Sequence, residues 1–151
     1  MDRQLRRATH ADAAAISQVI IAALRESNAH DYPAEVIAMV EQSFSAAAVE
    51  HLLARRKVYV ATEAGQVVGT ASLDGDVVRS VFIAPPYQGR GVGRQLMAAI
   101  HGAALGAGLA ALKVPSSITA EGFYAALGYA KVRDEHHGAE RTVVMRKVLA
   151  G

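Results

Sequence analysis

Three glycines alternate with larger residues in the segment Gln88-Gly89-Arg90-Gly91-Val92-Gly93. Glycines let a backbone fold closely around an anion, and the N–H groups in the first turn of a helix have no partner inside that helix. Arg90 and Arg94 place positive charge nearby. These residue types in this order predict a binding site for phosphate, with room for both groups of a pyrophosphate.

The residues on either side of the glycines predict the elements that would position them. Residues 77–84 are mostly apolar and β-branched and are closed by two prolines, which predicts a strand that ends there. After the glycines, apolar residues recur at helical spacing. They predict an amphipathic helix with a buried stripe formed by Val92, Leu96, Ile100 and Ala103. A strand, a glycine-rich loop and a helix start therefore follow one another directly.

Two common nucleotide-binding patterns do not fit this segment. The dinucleotide fingerprint needs glycine at relative positions one, three and six, but the sixth residue is Arg94 counted from Gly89 and Leu96 counted from Gly91. A P-loop ends in Gly-Lys-Ser/Thr, whereas Gly93 is followed by arginine and glutamine. A nucleotide-binding domain is therefore the weakest of the alternatives.

A second informative segment spans residues 120–129 and reads Ala-Glu-Gly-Phe-Tyr-Ala-Ala-Leu-Gly-Tyr. Ala120, Phe123 and Leu127 recur at helical spacing, so Phe123 is expected to pack in the core. Tyr124 lies about 100° around the same helix from Phe123 and therefore points in a different direction.

Together the two segments resemble the hallmark motifs of the GNAT family, the GCN5-related N-acetyltransferases. A strand, a proline and residues 88–93 match the family's acyl-CoA-binding motif, Gln/Arg-Gly-x-Gly-x-Gly/Ala, without a gap. Residues 120–129 match the second motif, Ala-x-x-Phe-Tyr-x-x-x-Gly-Phe/Tyr, at the family's spacing. The resemblance implies an acyltransferase that uses acetyl-CoA as its cosubstrate.

The order of predicted elements agrees with this family along residues 1–151, which are predicted to form a single N-acetyltransferase domain. The resemblance implies an α/β (α+β) fold, in which helices flank a mixed, mostly antiparallel twisted sheet with a central splayed pair of parallel strands. Strands are predicted at 5–8, 58–62, 67–73, 77–84, 110–114, 130–133 and 141–148, and helices after Asp12, at 34–40 and 45–53, from Val92, and at 116–127.

The splayed pair, residues 77–84 and 110–114, would leave backbone N–H and C=O groups without partners. The resemblance implies that the pantetheine arm of acetyl-CoA binds there like an added strand. It places cofactor contacts on the main chain of Val81, Phe82 and Ile83, where an N–H would also polarise the thioester carbonyl. Where the family often carries asparagine this chain has Ser117, which can cap a helix and donate to the cofactor.

The resemblance also implies a general acid. In the family, the hydroxyl at the position of Tyr124 faces the thioester sulfur, and a phenol with a pKa of about 10 is protonated at neutral pH. The alternative is that Tyr124 only packs against the cofactor. Glu63, Asp74 and Asp76 are candidate bases at predicted strand ends, and a chain of water molecules is equally compatible with the sequence.

Three further segments could belong to a site or only to the structure. Arg55-Arg56-Lys57 is interpreted as a solvated helix end. His136-His137 is interpreted as part of a glycine-containing loop, because adjacent histidines lack the spacing of metal ligands, and no metal is expected. His30-Asp31-Tyr32 precedes a proline in the region that usually forms the wall of the acceptor pocket in the family.

The composition limits the classes of function. Sixteen lysines and arginines against 14 aspartates and glutamates give a net charge of +2, which is too small to indicate a nucleic-acid partner. The absence of cysteine excludes a disulfide framework, a thiolate nucleophile and a zinc ribbon. No secretory leader or long apolar span is recognised, so we expect a cytoplasmic protein without a membrane partner.

The leading hypothesis is an N-acetyltransferase that transfers the acetyl group of acetyl-CoA directly to a primary amine, on either a small molecule or a protein. The alternative is a CoA-binding module that has lost catalysis and acts as a sensor or partner protein, although Tyr124 favours the enzyme. Dimers are common in the family, so a homodimer is compatible with the sequence, but the oligomeric state is not predicted. The identity of the acceptor, the general base and the range of acyl groups are not predicted.

Overall fold

A computed structural model describes residues 2–149 of the protein. Within these residues the chain forms seven strands and five α-helices, joined by short turns. In chain order the elements are β1 (Arg3–Arg7), α1 (Ala13–Glu26), α2 (Ala34–Gln42), α3 (Ala46–Arg55), β2 (Lys57–Glu63), β3 (Gln66–Asp74), β4 (Val77–Ile83), α4 (Val92–Gly106), β5 (Ala111–Ser117), α5 (Glu121–Ala126), β6 (Ala130–His137) and β7 (Glu140–Val148).

The strands form one mixed sheet in the order β1-β2-β3-β4-β5-β7-β6. All neighbouring strands are antiparallel except β4 and β5. These two pair only at Val77 and Lys113, beside a hydrogen bond of 3.0 Å from the Lys113 N–H to the Asp76 carbonyl oxygen. They diverge beyond that point. The predicted fold class and its splayed parallel pair are therefore confirmed.

The predicted helical stripes lie in the two cores that hold the sheet. In α4, Leu96, Met97 and Ile100 are fully buried against the centre of the sheet. In α1, Ile16 and Ile20 pack with α3 and with β2 in the second core. Burying a side chain of this size contributes about 1.5–3 kcal/mol. The two cores thus fix α4, which begins directly after Gly91, and α1, whose end forms part of the site.

Two predicted helix starts are observed. The Ser45 hydroxyl accepts a hydrogen bond of 3.2 Å from the Ala48 N–H and caps α3. Before α1, the Asp12 carboxylate accepts a hydrogen bond of 2.7 Å from the Thr9 N–H and is held by Arg6 at 2.8 and 3.0 Å. Arg6 and the Thr9 N–H together lower the pKa of Asp12 despite its burial.

The helix predicted at residues 116–127 is present, but its start was predicted five residues too early. Strand β5 continues to Ser117, because Ser116 and Ser117 pair with Val143 and Thr142 of β7, and α5 begins only at Glu121. The strand predicted at 130–133 is too short for the same reason. Pairing with β7 extends β6 to His137, so the two histidines lie at a strand end. Strand pairing outweighed local preference in both places.

Candidate functional site

A cavity of about 700 Å³ opens where β4 and β5 diverge. Its walls come from α1, α2, β4, the segment 87–93, the end of β5, α5 and the β6–β7 hairpin. Along β4 the cavity extends from Val78 to Ile83, and it then follows the chain into Gln88 and Gly89. Neighbouring splayed strands thus create one continuous cleft, with residues 88–93 (the glycine loop) at one end.

A β-bulge interrupts β4 in the middle of this cleft. Ser80 and Val81 together lie opposite Ala71, because Thr70 pairs with Phe82 and Ser72 pairs with Arg79. Ser80 has a φ of +54°, in the left-handed region that a non-glycine residue seldom adopts. A bulge leaves an extra residue outside the ladder and re-aims the backbone, often beside an active site. The only sequence signal was that Arg79 and Ser80 interrupt an otherwise apolar strand.

The three residues predicted to bind the cofactor through their main chain all line the cavity. Val81 and Ile83 pack against the main core, and Phe82 packs edge-on against Phe44 with ring centroids 5.8 Å apart. Their side chains are therefore structural, as expected. Because β5 does not pair with this part of β4, main-chain groups remain for a ligand. The cofactor contacts themselves stay a prediction.

The glycine loop has the backbone that the sequence predicted. Gly89 and Gly91 have φ values of +76° and +81°, and a Cβ at either position would meet no atom within 4 Å. Gly91 immediately precedes α4, so the unpaired N–H groups of that helix face the space the loop leaves open. Val92 is buried, so any contact with a ligand would come from its N–H. A substituent at Gly89 or Gly91 would project into a cradle suited to an anion.

The side chain of Gln88 fixes the loop to its surroundings. Its amide nitrogen donates to the Ile83 carbonyl oxygen at 3.0 Å and to the Ser27 hydroxyl, after the end of α1, at 2.9 Å. Arg90 lies over the ring of Tyr87, 5.5 Å from its centroid, and Arg94 is exposed in the first turn of α4. Two positively charged side chains therefore lie near the glycine loop, as predicted from the sequence.

Gly93 serves a different purpose from the other two glycines. A Cβ on Gly93 would lie 3.0 Å from two ring atoms of Phe123. The absence of a side chain lets α4 approach α5, rather than leaving room for phosphate as the sequence suggested. That expectation is corrected for Gly93, while its N–H remains one of the predicted cofactor contacts.

Tyr124 is buried in α5 and lines the cavity. Its ring packs edge-on against Phe123 and Tyr129, with centroids 5.1 and 5.5 Å away. Burial, and to a lesser degree Tyr129, raise the pKa of Tyr124, so the phenol keeps its proton. Because Tyr124 lines the cavity, the proton of its hydroxyl can be donated to a group bound there.

Ser117 lies at the end of β5 and also lines the cavity. Its hydroxyl accepts a hydrogen bond of 3.1 Å from the Ala120 N–H and closes the turn before α5. Ser117 therefore closes the turn before α5 but does not cap the helix, whose N-cap position is Ala120. The hydroxyl proton can still donate, so its contact with the cofactor stays a prediction.

The three candidate bases do not line the cavity. Glu63 is buried, and its Oε2 accepts two hydrogen bonds from the Arg3 guanidinium, at 3.0 and 3.1 Å. Asp74 is the last residue of β3 and Asp76 lies in the turn to β4, and both are exposed. The carboxylates that do line the cavity are Glu135 and Glu140, from the β6–β7 hairpin. The sequence could not reveal them, because the hairpin reaches the cavity only through the β7 pairing.

Arg56 corrects the interpretation of the Arg55-Arg56-Lys57 run. Arg55 and Lys57 are exposed, but Arg56 turns inward and lines the cavity with Arg79 of β4. Its guanidinium donates to the Ser80 hydroxyl at 3.1 Å. Burial, then Arg79, lower the pKa of Arg56 from its high ordinary value, although the group stays charged.

Tyr32 confirms that the segment after α1 forms a wall of the cavity. Its hydroxyl accepts a hydrogen bond of 2.7 Å from the Ile118 N–H and donates one of 2.8 Å to the Arg141 carbonyl oxygen. Burial is the main reason that the pKa of Tyr32 is raised. One phenol thereby ties the α1–α2 connection across the cleft to β7 and to the turn before α5.

The described part of the chain contains neither a cluster of metal ligands nor a helix that could cross a membrane. Residues 2–149 contain no cluster of three or more histidines, aspartates or glutamates arranged to hold a metal ion. None of the helices there is both long enough and apolar enough to cross a membrane.

The chain matches the family model described as an acetyltransferase (GNAT) domain over residues 28–149. It therefore belongs to the GNAT family of acetyltransferases, and the family predicted from the two motifs is confirmed. No curated protein matches the chain.

Solved structures agree with the family. A GCN5-related N-acetyltransferase from Rhodopseudomonas palustris is 28% identical, with a TM-score of 0.92 over 99% of this chain and 97% of its own. The PaiA N-acetyltransferase from Thermoplasma acidophilum, in complex with coenzyme A, is 15% identical, with a TM-score of 0.85 over 98% and 99%. YncA from Salmonella typhimurium, with its cofactor acetyl-CoA, is 23% identical, with a TM-score of 0.66 over 98% and 94%. The latter two support the fold alone.

Proposed function

We propose that the protein is an acetyl-CoA-dependent N-acetyltransferase that acetylates a primary amine directly. The observation that carries the proposal is the cleft between β4 and β5. It joins the glycine loop, an unpaired stretch of β4 with its bulge, and the protonated hydroxyl of Tyr124 in one cavity. The PaiA and YncA structures, which contain coenzyme A and acetyl-CoA, make the same cosubstrate the natural candidate here.

The residues of the cleft fit the parts of acetyl-CoA. The N–H groups after Gly91, with Arg90 and Arg94 nearby, suit the pyrophosphate. Along Val81, Phe82 and Ile83, the edge of β4 that faces β5 has no pairing strand, and it suits the amides of the pantetheine arm, which would add to β4 as a short strand. A cavity of about 700 Å³ accommodates that arm together with a small acceptor.

When bound, acetyl-CoA supplies a thioester carbonyl that an amine can attack. The chain contributes hydrogen bonds to the groups whose charge changes. A main-chain N–H at the β4 bulge would polarise the carbonyl oxygen, as donors of an oxyanion site do. Tyr124 would hold a proton at its hydroxyl for the departing sulfur, a role for which burial keeps it protonated.

The amine must be neutral when it attacks, so one proton has to leave it. Glu135 and Glu140 are the carboxylates of the cavity, and only Glu135 is engaged in an ion pair within residues 2–149, with Arg133 at 2.7 Å. We propose that the proton leaves through water or through Glu140. Either route is compatible with an acceptor that enters beside the β6–β7 hairpin.

Release of free CoA thiol from acetyl-CoA, measured with panels of small amines and peptides, tests the proposal. The expected result is amine-dependent thiol release, with one acetyl group added to the amine by mass spectrometry. A reaction without amine measures hydrolysis and serves as the control. If acetyl-CoA binds but no amine accelerates thiol release, the protein is a CoA-binding module instead of an enzyme.

A further inference from the structure

Two arginines form one wall of the cavity at the end opposite the glycine loop. Arg56 follows α3 and Arg79 lies in β4, so the fold brings together residues that are distant in the sequence. The Arg56 side chain is 15% exposed, and that of Arg79 is 41% exposed. We refer to Arg56 and Arg79 as the arginine pair.

The arginine pair carries more charge than its surroundings neutralise. Asp74 is the only carboxylate within ion-pair distance of either residue in the described chain, with its oxygen 3.5 Å from Arg79 Nε and 4.0 Å from Arg56 Nε. Asp74 is itself half exposed. One carboxylate for two guanidinium groups leaves an excess positive charge beside a cleft. A poorly compensated charge at a partly buried site is costly unless an anion binds there.

The position of the pair separates it from the phosphates of CoA. Arg56 donates to Ser80 at the bulge. Ser80 lies three residue steps before Ile83, where the chain turns toward the glycine loop. At about 3.3 Å per residue, this distance is about 10 Å. An anion at the arginine pair would therefore lie beside the bulge, on the acceptor side of the reacting carbonyl.

The wall next to the arginine pair is apolar. Its side chains come from the end of α1, from α2 and from the segment after α2, together with one ring of β4: Leu24, Val36, Ile37, Val40, Phe44 and Phe82. Such a surface suits a compact aliphatic or aromatic group. A small acceptor could thus place an anion on the arginines and an apolar body on this wall.

We propose that the acceptor is an amino acid with an apolar side chain, whose carboxylate is bound by Arg56 and Arg79. The proposal rests on the proposed acetyltransferase activity and narrows its substrate class. The guanidinium fork matches a carboxylate in geometry as well as charge. Contact of Arg56 with the bulge residue keeps the carboxylate, and hence the nearby α-amino group, close to the reacting position.

The chemistry of the step leaves the carboxylate unchanged. The amine nitrogen bonds to the acetyl carbonyl carbon and loses one proton to water or to Glu140. The carbon–sulfur bond breaks, and the sulfur receives one proton from Tyr124, which recovers it from solvent. The arginine pair thus acts in binding and orientation and takes no part in the proton transfers.

A matched set of acceptors tests the assignment. Leucine, leucinamide and isopentylamine share the apolar body, but only leucine carries a carboxylate, and the phosphonate analogue of leucine replaces it with a larger oxyanion. For the wild-type protein we expect kcat/KM for leucine to exceed that for isopentylamine about 10- to 100-fold. This ratio is the one that hydrogen bonds to a charged group usually produce. Equal values, or a preference for the phosphonate over leucine, would overturn the carboxylate assignment.

Variants identify the residues responsible. Arg79→Gln should remove most of the preference for leucine over isopentylamine. Arg56→Lys keeps the charge but loses the fork, and it should reduce the preference partly. Arg55→Gln removes the same charge from an exposed neighbour and should keep the full preference. An undiminished preference in Arg79→Gln would contradict the proposal.

A binding measurement separates this proposal from the activity on which it rests. Calorimetry on the protein saturated with CoA should show leucine binding about tenfold or more tightly than isopentylamine, and Arg79→Gln should abolish the difference. If no amine is acetylated but this binding difference is present, the catalytic proposal fails and the carboxylate site stands. If amines are acetylated and the difference is absent, the carboxylate site fails alone.

Discussion

The two ends of the cavity are built in different ways. The glycine loop is made of main chain: positive φ values at Gly89 and Gly91 and the free N–H groups at the start of α4 shape it. Other parts of the wall are made of side chains, among them the arginine pair, Tyr32 and Glu140, which come from four separate parts of the chain. Tyr124 lines the same cavity.

This difference suggests how the two ends divide their tasks. A main-chain cradle depends on local backbone geometry, which many side-chain changes leave intact, so it suits a cosubstrate common to a family. A side-chain wall changes with each substitution, so it suits an acceptor that differs between proteins. Variants at the glycine loop should therefore act on acetyl-CoA, variants at the arginine pair on the acceptor, and Tyr124 on the chemistry.

The largest effect is expected for Tyr124→Phe. Phenylalanine keeps the ring that packs between Phe123 and Tyr129, but it lacks the proton donor. We expect kcat to fall about 10²- to 10⁴-fold, with little change in affinity for acetyl-CoA. Single-turnover rates and calorimetry measure the two quantities separately. Retention of the full chemical rate would show that Tyr124 only packs against the cofactor.

The pH dependence of the wild-type rate tests the same residue. Because burial raises the pKa of Tyr124, the acid should remain protonated beyond the ordinary tyrosine value of 10.0. The rate should therefore rise as the acceptor amine loses its proton and should not decline up to about pH 10. A decline near neutral pH, present in the wild type and absent in Tyr124→Phe, would contradict this assignment.

Acetyl-CoA should stabilise the folded protein. A ligand that binds only the native state adds about 2.7 kcal/mol to the free energy of unfolding when its concentration is a hundredfold above Kd. NAD and ATP should add much less, because neither fingerprint is present. Thermal unfolding with each ligand measures this, and a larger effect of NAD than of acetyl-CoA would mean that the glycine loop had been misinterpreted.

Two glycine variants distinguish binding from packing within the glycine loop. Gly91→Val places a side chain in the open cradle and forces a positive φ, so KM for acetyl-CoA should rise about 10- to 100-fold. Gly93→Val should instead destabilise the fold by about 1–3 kcal/mol through its clash with Phe123, with a smaller change in KM.

Gly102→Val is the matched control in the same helix, because a Cβ at Gly102 meets no atom within 4 Å. Its unfolding free energy should be nearly that of the wild type. If Gly91→Val left KM unchanged, the pyrophosphate would have to bind elsewhere.

The smallest effect is expected away from both ends of the cavity, at Asp12 before the start of α1. Arg6 and the Thr9 N–H lower the pKa of Asp12 in the folded state, so the contact stabilises the protein above the unfolded pKa of about 3.9. This contribution is lost as the pH falls through the lower, folded pKa. Because Arg6 is partly exposed, Asp12→Asn should cost only about 0.5–1 kcal/mol at pH 7.

Denaturant unfolding at neutral and acidic pH measures this effect, with Asp76→Asn as the exposed control. The difference between Asp12→Asn and wild type should shrink at acidic pH, and kinetic constants for acetyl-CoA should be unchanged. A difference that grew on acidification would contradict the sign of the pKa shift.

The features that could be predicted from the sequence are mainly those that depend on residues close together in the chain. The turn geometry at Gly89 and Gly91 and the buried stripe of α4 depend on neighbouring residues, and both agree with the prediction. The interpretation of Gly93 was wrong, because its contact with Phe123 comes from another helix. The inward turn of Arg56 and the left-handed Ser80 depend on contacts between β3, β4 and the end of α3, which no local pattern encodes. The start of the helix predicted at residue 116 was wrong for a related reason, because pairing with β7 holds Ser116 and Ser117 in a strand.

A crystal structure with acetyl-CoA bound is the most direct test of the proposed division of the cavity. We predict that the pyrophosphate accepts hydrogen bonds from main-chain N–H groups of the glycine loop, and that the thioester sulfur lies within hydrogen-bond distance of the Tyr124 hydroxyl. The arginine pair should remain without contact to any phosphate of the cosubstrate. A pyrophosphate bound at Arg56 and Arg79, or a thioester remote from Tyr124, would contradict the proposed arrangement.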